Sequence, residues 1–484
     1  MSAEITTGIW TGTTVGPATD GSTFDVHDPA TGEIIAEVAD ATVDDALAAL
    51  GAAHEAQDAW AATTARHRSV VLADLARAVS ARSEELAPVL SREMGKPLRE
   101  AAAEVANTAE FFRWYAGEAE RLPGRYADSP GGQGRILVTR RPVGPCLAIT
   151  PWNFPLSMAA RKIAPALAAG CTVVVKPAAE TPLVMLKLGE ILARVFGHHE
   201  VPDGVVSIVP TTDAAALSSA LMGDPRLRKV TFTGSTAVGR TLVRQSADLL
   251  LRTSMELGGN APFVVAADAD LDAAVDGAVA AKTRNAGQVC VAANRFIVVA
   301  DVVEEFTARL AERFDALPVG PGSEPGTEVG PLVTSEAVAR VSSLVDAAVA
   351  AGARQVTART RADVPGEGYF YPPTVLADVP AGADVLNTEI FGPVATVSVA
   401  GDLEEAIAAA NDTDAGLAAY GYSASAAGVE ALAGRLKAGM VAVNRVNIAD
   451  VAAPFGGVDQ SGFGREGGTE GIEEYLDARY VALP

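Results

Sequence analysis

The sequence of 484 residues is poor in cysteine, with only three: Cys146, Cys171 and Cys290. They are far apart along the chain and form no Cys-x-x-Cys pair. This pattern excludes a disulfide framework and a cysteine-ligated zinc site, and it is typical of a reducing cytoplasm. We therefore expect a cytoplasmic protein that holds no metal.

Positive charge is also scarce, since the chain has 38 Lys and Arg residues and 60 Asp and Glu residues, which gives a net charge of −22. So acidic a chain argues against nucleic acids and anionic membranes as partners, because both recruit basic patches. No apolar run reaches the roughly 18–20 residues of a membrane span. The start, MSAEITTGIW, lacks the basic and apolar regions of a signal peptide. We expect neither a nucleic-acid nor a membrane partner.

The length predicts two or three domains. A helical stretch runs from Thr42, a predicted N-cap, to about residue 120, and from Pro145 short apolar strands alternate with helices. Thr181 is predicted to cap a helix that begins at Pro182. Continuous apolar strands separated by helices indicate an α/β fold with a parallel sheet covered on both faces. The predicted strands are 146–150, 172–175, 205–209 and 229–232, and the predicted helices are about 155–169, 182–196 and 213–222.

Polar residues follow three of these strands, where doubly wound sheets bind ligands. They are Asn153, Lys176 and the turn Thr233-Gly234-Ser235. The turn leads into a helix, whose N-terminal N–H groups suit an anion such as a pyrophosphate. The dinucleotide fingerprint GxGxxG is absent. Each feature alone is also explained by an ordinary turn, a solvated lysine or an asparagine cap.

Two further residues indicate covalent catalysis. Cys290 lies in Asn-Ala-Gly-Gln-Val-Cys, where Gly287 and Gln288 predict a loop, although a lone cysteine is usually a small core residue. Glu256 lies among apolar residues before two glycines, although it could be an ordinary paired or surface glutamate. A thiol and a partly desolvated carboxylate together suggest a nucleophile and a general base.

Six motifs in order give the chain its resemblance to the aldehyde dehydrogenase superfamily, and within it to the succinate-semialdehyde dehydrogenases. They are PWNFP (151–155), KPAAETP (176–182), FTGST (232–236), MELGGN (255–260), NAGQVC (285–290) and EIFGP (389–393), flanked by EMGKP (93–97) and APFGGVDQSGFGREGG near the end. The resemblance covers nearly the whole chain and implies the aldehyde dehydrogenase fold. That fold has a Rossmann-like cofactor domain, an α/β catalytic domain and a small β oligomerisation arm. The implied segments are 1–123 and 142–255 (cofactor), 256–443 (catalytic), 124–141 and 467–484 (arm) and 444–466 (return to the cofactor domain).

The resemblance also assigns the chemistry. It implies that Cys290 attacks an aldehyde, that Asn153 and the Cys290 N–H hold the oxyanion, and that the adduct gives up hydride to become a thioester. Glu256 then activates the water that releases the acid, whereas relatives that transfer the acyl group to coenzyme A typically lack this base. The residues implied to bind the cofactor are Thr150, Trp152, Asn153, Lys176, Ala178, Ala179, Gly234, Ser235, Leu257, Glu389 and Phe391.

The substrate implied is a short aldehyde with a distal carboxylate. Arg161 and Arg284 match the arginines that bind this carboxylate in the succinate-semialdehyde enzymes, and Met158 shares a helix face with Arg161. The serine that assists them is replaced by Ala449, and Arg445 and Asn447 are unfamiliar nearby, so we predict an altered substrate site that includes both. Glutarate semialdehyde, or a broad range of aldehydes, stays open as the substrate.

The cofactor is expected to be NADP rather than NAD, because Ala179 stands where many NAD-preferring members have a glutamate, although Glu180 follows. Ala292 replaces a second cysteine found in some relatives, so no redox-sensitive disulfide is expected at the nucleophile. Two other classes are alternatives: a non-catalytic binding protein, which should have lost Cys290 or Glu256, and a cofactor-free cysteine hydrolase, which should have a histidine near Cys290. The arm implies a homodimer or homotetramer.

Overall fold

The computed structural model describes residues 7–484. Residues 1–6 lie outside the described residues; they belong to the predicted segment 1–123 and to the N-terminal stretch that lacks the features of a signal peptide. The first part of the chain contains two antiparallel strand pairs, then four helices, and then two strands in the segment predicted to form the arm. Its elements are β1 (Ile9–Thr11), β2 (Thr14–Gly16), β3 (Thr23–His27), β4 (Ile34–Ala39), α1 (Val43–Ala61), α2 (Ala65–Ala81), α3 (Ser83–Met94), α4 (Leu98–Ala119), β5 (Arg125–Asp128) and β6 (Arg135–Pro142).

A doubly wound sheet follows. Its elements are β7 (Cys146–Ile149), α5 (Pro155–Ala169), β8 (Val173–Lys176), α6 (Leu183–His198), β9 (Val206–Ile208), α7 (Ala214–Met222), β10 (Lys229–Thr233), α8 (Thr236–Ser246) and β11 (Arg252–Glu256). The parallel strands lie in the order β9-β8-β7-β10-β11. The chain thus moves outward from β7 to β9 and then returns to β7's other side. This reversal between β7 and β10 is the topological switch point, where such sheets bind ligands.

Alternate residues of these strands pack into two different cores, which is why the strands are apolar throughout. Cys146 and Ala148 of β7 contact the core formed with α2 and α4–α6. Leu147 and Ile149 contact the core formed with α1, α7 and α8. The predicted α/β class with a parallel sheet covered on both faces is confirmed.

A second mixed sheet carries the other half of the molecule. Its strand order, within the described residues, is β14-β15-β16-β13-β12-β18-β19, and only β14 runs antiparallel to its neighbour. The elements of this part are β12 (Ala261–Val265), α9 (Leu271–Thr283), β13 (Ala293–Val299), α10 (Val303–Ala316), α11 (Ser335–Ala350), β14 (Arg354–Gln355), β15 (Thr374–Ala377), α12 (Asp384–Asn387), β16 (Val394–Ala400), α13 (Leu403–Asn411), β17 (Ala415–Gly416), β18 (Ala418–Tyr422), α14 (Ala426–Arg435) and β19 (Met440–Val443).

The last segment returns to the first sheet and to the arm strands. It contains β20 (Val458–Asp459), β21 (Gly462–Phe463), α15 (Glu470–Glu473) and β22 (Leu476–Leu483). Strand β21 pairs antiparallel with β11, opposite Glu256. Strand β22 pairs with β6 from Leu476↔Pro142 to Leu483↔Arg135, and β6 pairs with β5. The two segments predicted to form an arm therefore pair with each other, and their role in assembly stays a prediction.

Two capping predictions have different outcomes. Thr42 caps α1, since its hydroxyl accepts the N–H of Asp45. The prediction for Thr181 is wrong: α6 begins at Leu183, and the carboxylate of Glu93 accepts the N–H groups of Leu183 and Val184 at 2.7 and 3.0 Å. A buried carboxylate 90 residues away in sequence has replaced the local cap. None of the helices formed by residues 7–484 combines the length and apolarity needed to cross a membrane.

Candidate active site

A cavity of about 680 Å³ is lined by loops that leave the first sheet and loops that enter the second. The loops after β7, β10 and β11 supply one wall, and those before β13 and β16 supply the other. Most of the predicted site residues meet here although they are distant in sequence. Those in the lining are Trp152, Asn153, Met158, Arg161, Gly234, Ser235, Glu256, Leu257, Arg284, Cys290, Glu389, Phe391 and Asn447.

Five predicted residues do not line this cavity. Thr150, Lys176, Ala178 and Ala179 lie at the carboxyl ends of β7 and β8, where the Thr150 N–H donates to the Lys176 carbonyl at 3.1 Å. Burial lowers the pKa of Lys176. Arg445 is exposed and outside the lining, and its part in the substrate site stays a prediction. The preceding Asn444 has a left-handed backbone, with φ of 55°, which turns the chain before the lining residue Asn447 is reached.

Asn153 is buried at the switch point with its amide held in place. Its Nδ2 donates to the carbonyl of Gln288 at 2.9 Å. A side-chain amide has two N–H donors, so the second stays available to a substrate oxygen. Gln288 lies two residues before Cys290, so this bond ties the candidate oxyanion donor to the loop of the candidate nucleophile.

The loop before Cys290 has an unusual backbone. Asn285, Ala286 and Gly287 have φ values of 52°, 54° and 74° in succession. Left-handed backbone costs about 1–2 kcal/mol for a residue with a Cβ, so the surroundings must stabilise it. The N–H of Asn285 donates to Glu100 at 2.8 Å, and a Cβ on Gly287 would lie 2.2 Å from the Gly392 carbonyl oxygen. The motif residues before Cys290 are thus required by this turn.

Cys290 is half-buried, and its thiol is protonated at neutral pH in the ligand-free chain. Desolvation raises the pKa of Cys290 to about 12, with Glu389 and Glu256 adding to the rise and Arg161 opposing it. The thiolate is the nucleophilic form. Chemistry at Cys290 therefore requires that the thiol lose its proton as the substrate complex forms.

Glu256 ends β11 and is 3% exposed, and neither of its carboxylate oxygens has a hydrogen-bond partner. Desolvation raises the pKa of Glu256 well above 4.5, and the carboxylate of Glu466 raises it further, against Lys162 and Arg161. Lys162 pairs with Glu466 and donates to Thr233 Oγ1 at 2.7 Å. A buried carboxylate with free lone pairs and a raised pKa has the properties of a general base.

The turn Gly234-Ser235 is suited to a dinucleotide. Ser235 caps α8, accepting the N–H of Val238, and the helix points its N-terminus at the cavity wall. A Cβ on Gly234 would lie 2.4 Å from the ring of Phe232, so only glycine fits beside this ring. Across the cavity, Glu389 accepts the Gly259 N–H at 3.2 Å, and desolvation raises the pKa of Glu389 to about 7. These donors and acceptors fit phosphate and ribose groups.

The other end of the cavity carries two guanidinium groups. Arg161 is 4% exposed, its Nε and Nη1 have no hydrogen-bond partner, and it lies 4.1 Å from the ring centre of Phe455. Arg284 lies 5.0 Å from the ring centre of Phe154. An unpaired buried cation is costly, so the Arg161 site is suited to an anion. Ala449 and Asn447 line the same cavity.

Sequence reasoning missed several residues around this site. They are Asn107, Arg340 and Phe455 in the lining, Lys162 and Glu466 beside Glu256, and Lys96 and Glu104 behind Asn153. Glu466 belongs to the segment APFGGVDQSGFGREGG and Lys96 to EMGKP. Both segments contributed to the resemblance, but neither indicated which contacts these two residues make.

Comparison with known proteins gives a consistent result. The model of the aldehyde dehydrogenase family matches residues 17–481. The succinate-semialdehyde dehydrogenase of Paenarthrobacter nicotinovorans is 51% identical over 93% of this chain and 99% of that protein, and the glutarate-semialdehyde dehydrogenase of Pseudomonas putida is 43% identical over 96% and 95%. A crystal structure of an NADP-dependent enzyme from E. coli matches with a TM-score of 0.95 at 41% identity, covering 99% of this chain and 98% of that chain.

Proposed function

The chain belongs to the aldehyde dehydrogenase family, and on this premise we propose that it oxidises a short aldehyde with a distal carboxylate, succinate semialdehyde, to the acid. The observation that carries the proposal is one cavity lined by a thiol, a desolvated carboxylate, a side-chain amide and two guanidinium groups. The name of the relative from Paenarthrobacter nicotinovorans supports the same substrate.

The chain's own residues account for the steps at the carbonyl. Cys290 Sγ attacks the aldehyde carbon, and the Asn153 amide and the Cys290 N–H stabilise the oxyanion that forms. One such donor typically contributes roughly 3–4 kcal/mol to lowering the barrier. After oxidation the acyl group is a thioester on Cys290. Glu256 takes a proton from water, the hydroxide adds to the thioester, and the acid leaves with Cys290 regenerated.

A nicotinamide dinucleotide, when bound, supplies the hydride acceptor for the oxidation. We propose that the turn Gly234-Ser235 and the N-terminus of α8 hold its phosphates, and that Glu389 and Lys176 hold its ribose hydroxyls. Trp152, Leu257 and Phe391 supply apolar contacts, and Thr150, Ala178 and Ala179 border the same strand ends. Ala179 carries no carboxylate to repel a 2′-phosphate, and this favours NADP over NAD.

The first test is an aldehyde panel assayed with both cofactors. We expect the highest kcat/KM for succinate semialdehyde with NADP. A higher kcat/KM for an uncharged aldehyde of the same length would contradict the substrate, and a strong preference for NAD would contradict the cofactor. Glutarate semialdehyde is the second candidate, because Ala449 leaves room where a serine would stand and a relative of that name is 43% identical.

Removing the guanidinium groups is expected to separate the anionic substrate from uncharged ones. Arg161→Met and Arg284→Met should each raise KM for succinate semialdehyde by roughly 10- to 100-fold, since a hydrogen bond to a charged group contributes about 1.5–3 kcal/mol. KM for butanal, which has four carbons and no charge, should change less than about twofold. Equal losses for both aldehydes would show that the arginines do not bind the carboxylate.

Two other classes are less well supported. A cofactor-free cysteine hydrolase should have a histidine beside its thiol, yet none of the five histidines, all within residues 7–484, lines the cavity. A non-catalytic binding protein should have lost the thiol or the base, and both are present.

We also propose a homodimer or homotetramer located in the cytoplasm. Strands β5, β6 and β22 form a separate three-stranded sheet with Tyr126 and Tyr480 exposed at 59% and 62%. Exposed aromatic residues on a small sheet favour an interface. A mass near 49.5 kDa by light scattering would contradict this assembly.

A further inference from the structure

A buried ion pair lies next to Asn153 and outside the cavity lining. Lys96 and Glu104 have side chains exposed by 0% and 1%, and Lys96 Nζ donates to Glu104 Oε2 at 2.5 Å. Lys96 Nζ also donates to the main-chain carbonyl of Asn153 at 2.7 Å and lies 3.9 Å from the ring centre of Phe154. The lysine therefore contacts both residues that end the loop after β7.

Glu104 holds the next part of the same segment. Its Oε1 accepts the N–H groups of Leu156 at 3.0 Å and Ser157 at 3.2 Å, at the start of α5, which has no local side-chain cap. One turn earlier on α4, Glu100 accepts the N–H of Asn285 in the nucleophile loop. Residues four apart share a helix face, so one face of α4 contacts both the amide segment and the thiol segment.

The backbone on both sides of Lys96 is closely packed, and this packing limits where the Lys96 ammonium group can lie. Gly95 ends α3 with φ of 92°, and a Cβ there would lie 2.6 Å from Pro331. Pro97 is the N-cap of α4, and a Cβ on Gly322 would lie 2.2 Å from the Lys96 carbonyl oxygen. The turn is thus closely packed on several sides, and the Lys96 side chain is directed to the Asn153 carbonyl.

We infer that Lys96 and Glu104 are positioning residues for the oxyanion site: Lys96 fixes the main chain of Asn153, Glu104 fixes Lys96 and the start of α5, and together they aim the Asn153 amide at the reacting carbonyl. This inference rests on the role proposed for Asn153. Oxyanion donors must be preorganised within a few tenths of an ångström. The Asn153 carbonyl accepts from Lys96 Nζ at 2.7 Å and from Asn285 Nδ2 at 3.1 Å, and of these two donors Lys96 carries the charge and makes the shorter bond.

The test is a double-mutant cycle with Asn153→Ala. Lys96→Met is expected to lower kcat for aldehyde oxidation, and for hydrolysis of p-nitrophenyl acetate by the same thiol, by roughly 10- to 100-fold, somewhat less than loss of a whole oxyanion donor. In the N153A background, K96M should change kcat less than about twofold, because its effect passes through Asn153. The rate of Cys290 alkylation by iodoacetamide should change less than about twofold in either background.

Two results with the single variant K96M would overturn the inference. One is an equal loss of kcat from K96M with and without N153A, and the other is a loss of alkylation rate in parallel with kcat. Removing one partner of a buried pair leaves an unpaired charge, so the uncharged variant K96M/E104Q is measured in the same cycle. Its kcat should also fall in the wild-type background and change little in the N153A background. If that variant folds like the wild type and regains full kcat, the pair has only a structural role and the inference fails.

Glu93→Gln is the matched control. Glu93 is also a buried carboxylate that accepts two N–H groups at the start of a helix, but it has no contact with Asn153. Its kcat should stay within about twofold of the wild type. The ester assay needs no cofactor or aldehyde, so the cycle reports on Lys96 even if the wild type fails to oxidise succinate semialdehyde.

Discussion

Cys290→Ser is expected to lower kcat for aldehyde oxidation by at least roughly 10³-fold, because a serine hydroxyl is far less acidic and less nucleophilic than a thiol. The substitution changes one atom in a half-buried side chain, so the cavity and cofactor site should keep their shape. The dissociation constant for NADP, measured by fluorescence titration, should therefore stay within about twofold. Activity close to that of the wild type would remove Cys290 from the mechanism.

The pH dependence of alkylation tests the same thiol in the ligand-free enzyme. With the pKa of Cys290 raised to about 12, the thiolate fraction and hence the rate with iodoacetamide should keep rising up to that pH. Cys171→Ser is the control, since Cys171 is fully buried and outside the cavity. The folded C171S enzyme should keep both its alkylation rate and its kcat.

The residues that could be predicted from sequence are those that follow strands. Asn153, Lys176 and Gly234 each follow a predicted strand, and the strands of a parallel sheet end at one edge, so their convergence is a consequence of topology. Glu256 ends β11, a strand that the sequence analysis did not predict. Cys290 and Glu389 precede strands of the second sheet. The loop residues before Cys290 pointed to a nucleophile, whereas only the motif resemblance identified Glu389. Arg445 follows the left-handed residue Asn444 and lies outside the cavity lining, and its predicted role stays a prediction.

The residues that could not be predicted act through partners remote in sequence. Lys96 contacts the Asn153 carbonyl 57 residues away, and Lys162 pairs with Glu466 across 304 residues. The buried thiol of Cys171 donates to the carbonyl of Tyr475 at 3.4 Å, also across 304 residues. In each case the residue type is ordinary, and only the packing of α3–α5 and of the returning C-terminal segment makes it significant.

Glu256→Gln should separate the two halves of the reaction. In the proposed mechanism Glu256 acts on the water that releases the acid, so each active site of the variant should form one acyl group and release one reduced cofactor in a burst. The steady-state kcat should then fall by roughly 10²- to 10⁴-fold, the usual contribution of a general base. Stopped-flow absorbance at 340 nm measures both phases. A variant that loses steady-state activity without a burst would assign Glu256 to an earlier step.

The pH dependence of the wild type follows from the same carboxyl group. Because burial and Glu466 raise the pKa of Glu256 well above 4.5, the base is protonated over a wider range, and kcat should fall as pH drops below the raised pKa. The contribution of Glu256 to stability depends on pH in the opposite direction to kcat. Between the unfolded and folded pKa of Glu256 the folded state binds more protons than the unfolded chain. The stability that this group contributes is therefore lost as pH rises through its folded pKa. E256Q cannot ionise, so its free energy of unfolding, measured by urea titration, should decline less with rising pH than that of the wild type. An identical decline in both enzymes would mean that Glu256 ionises as freely in the folded protein as in the unfolded chain. Its pKa would then not be raised by folding.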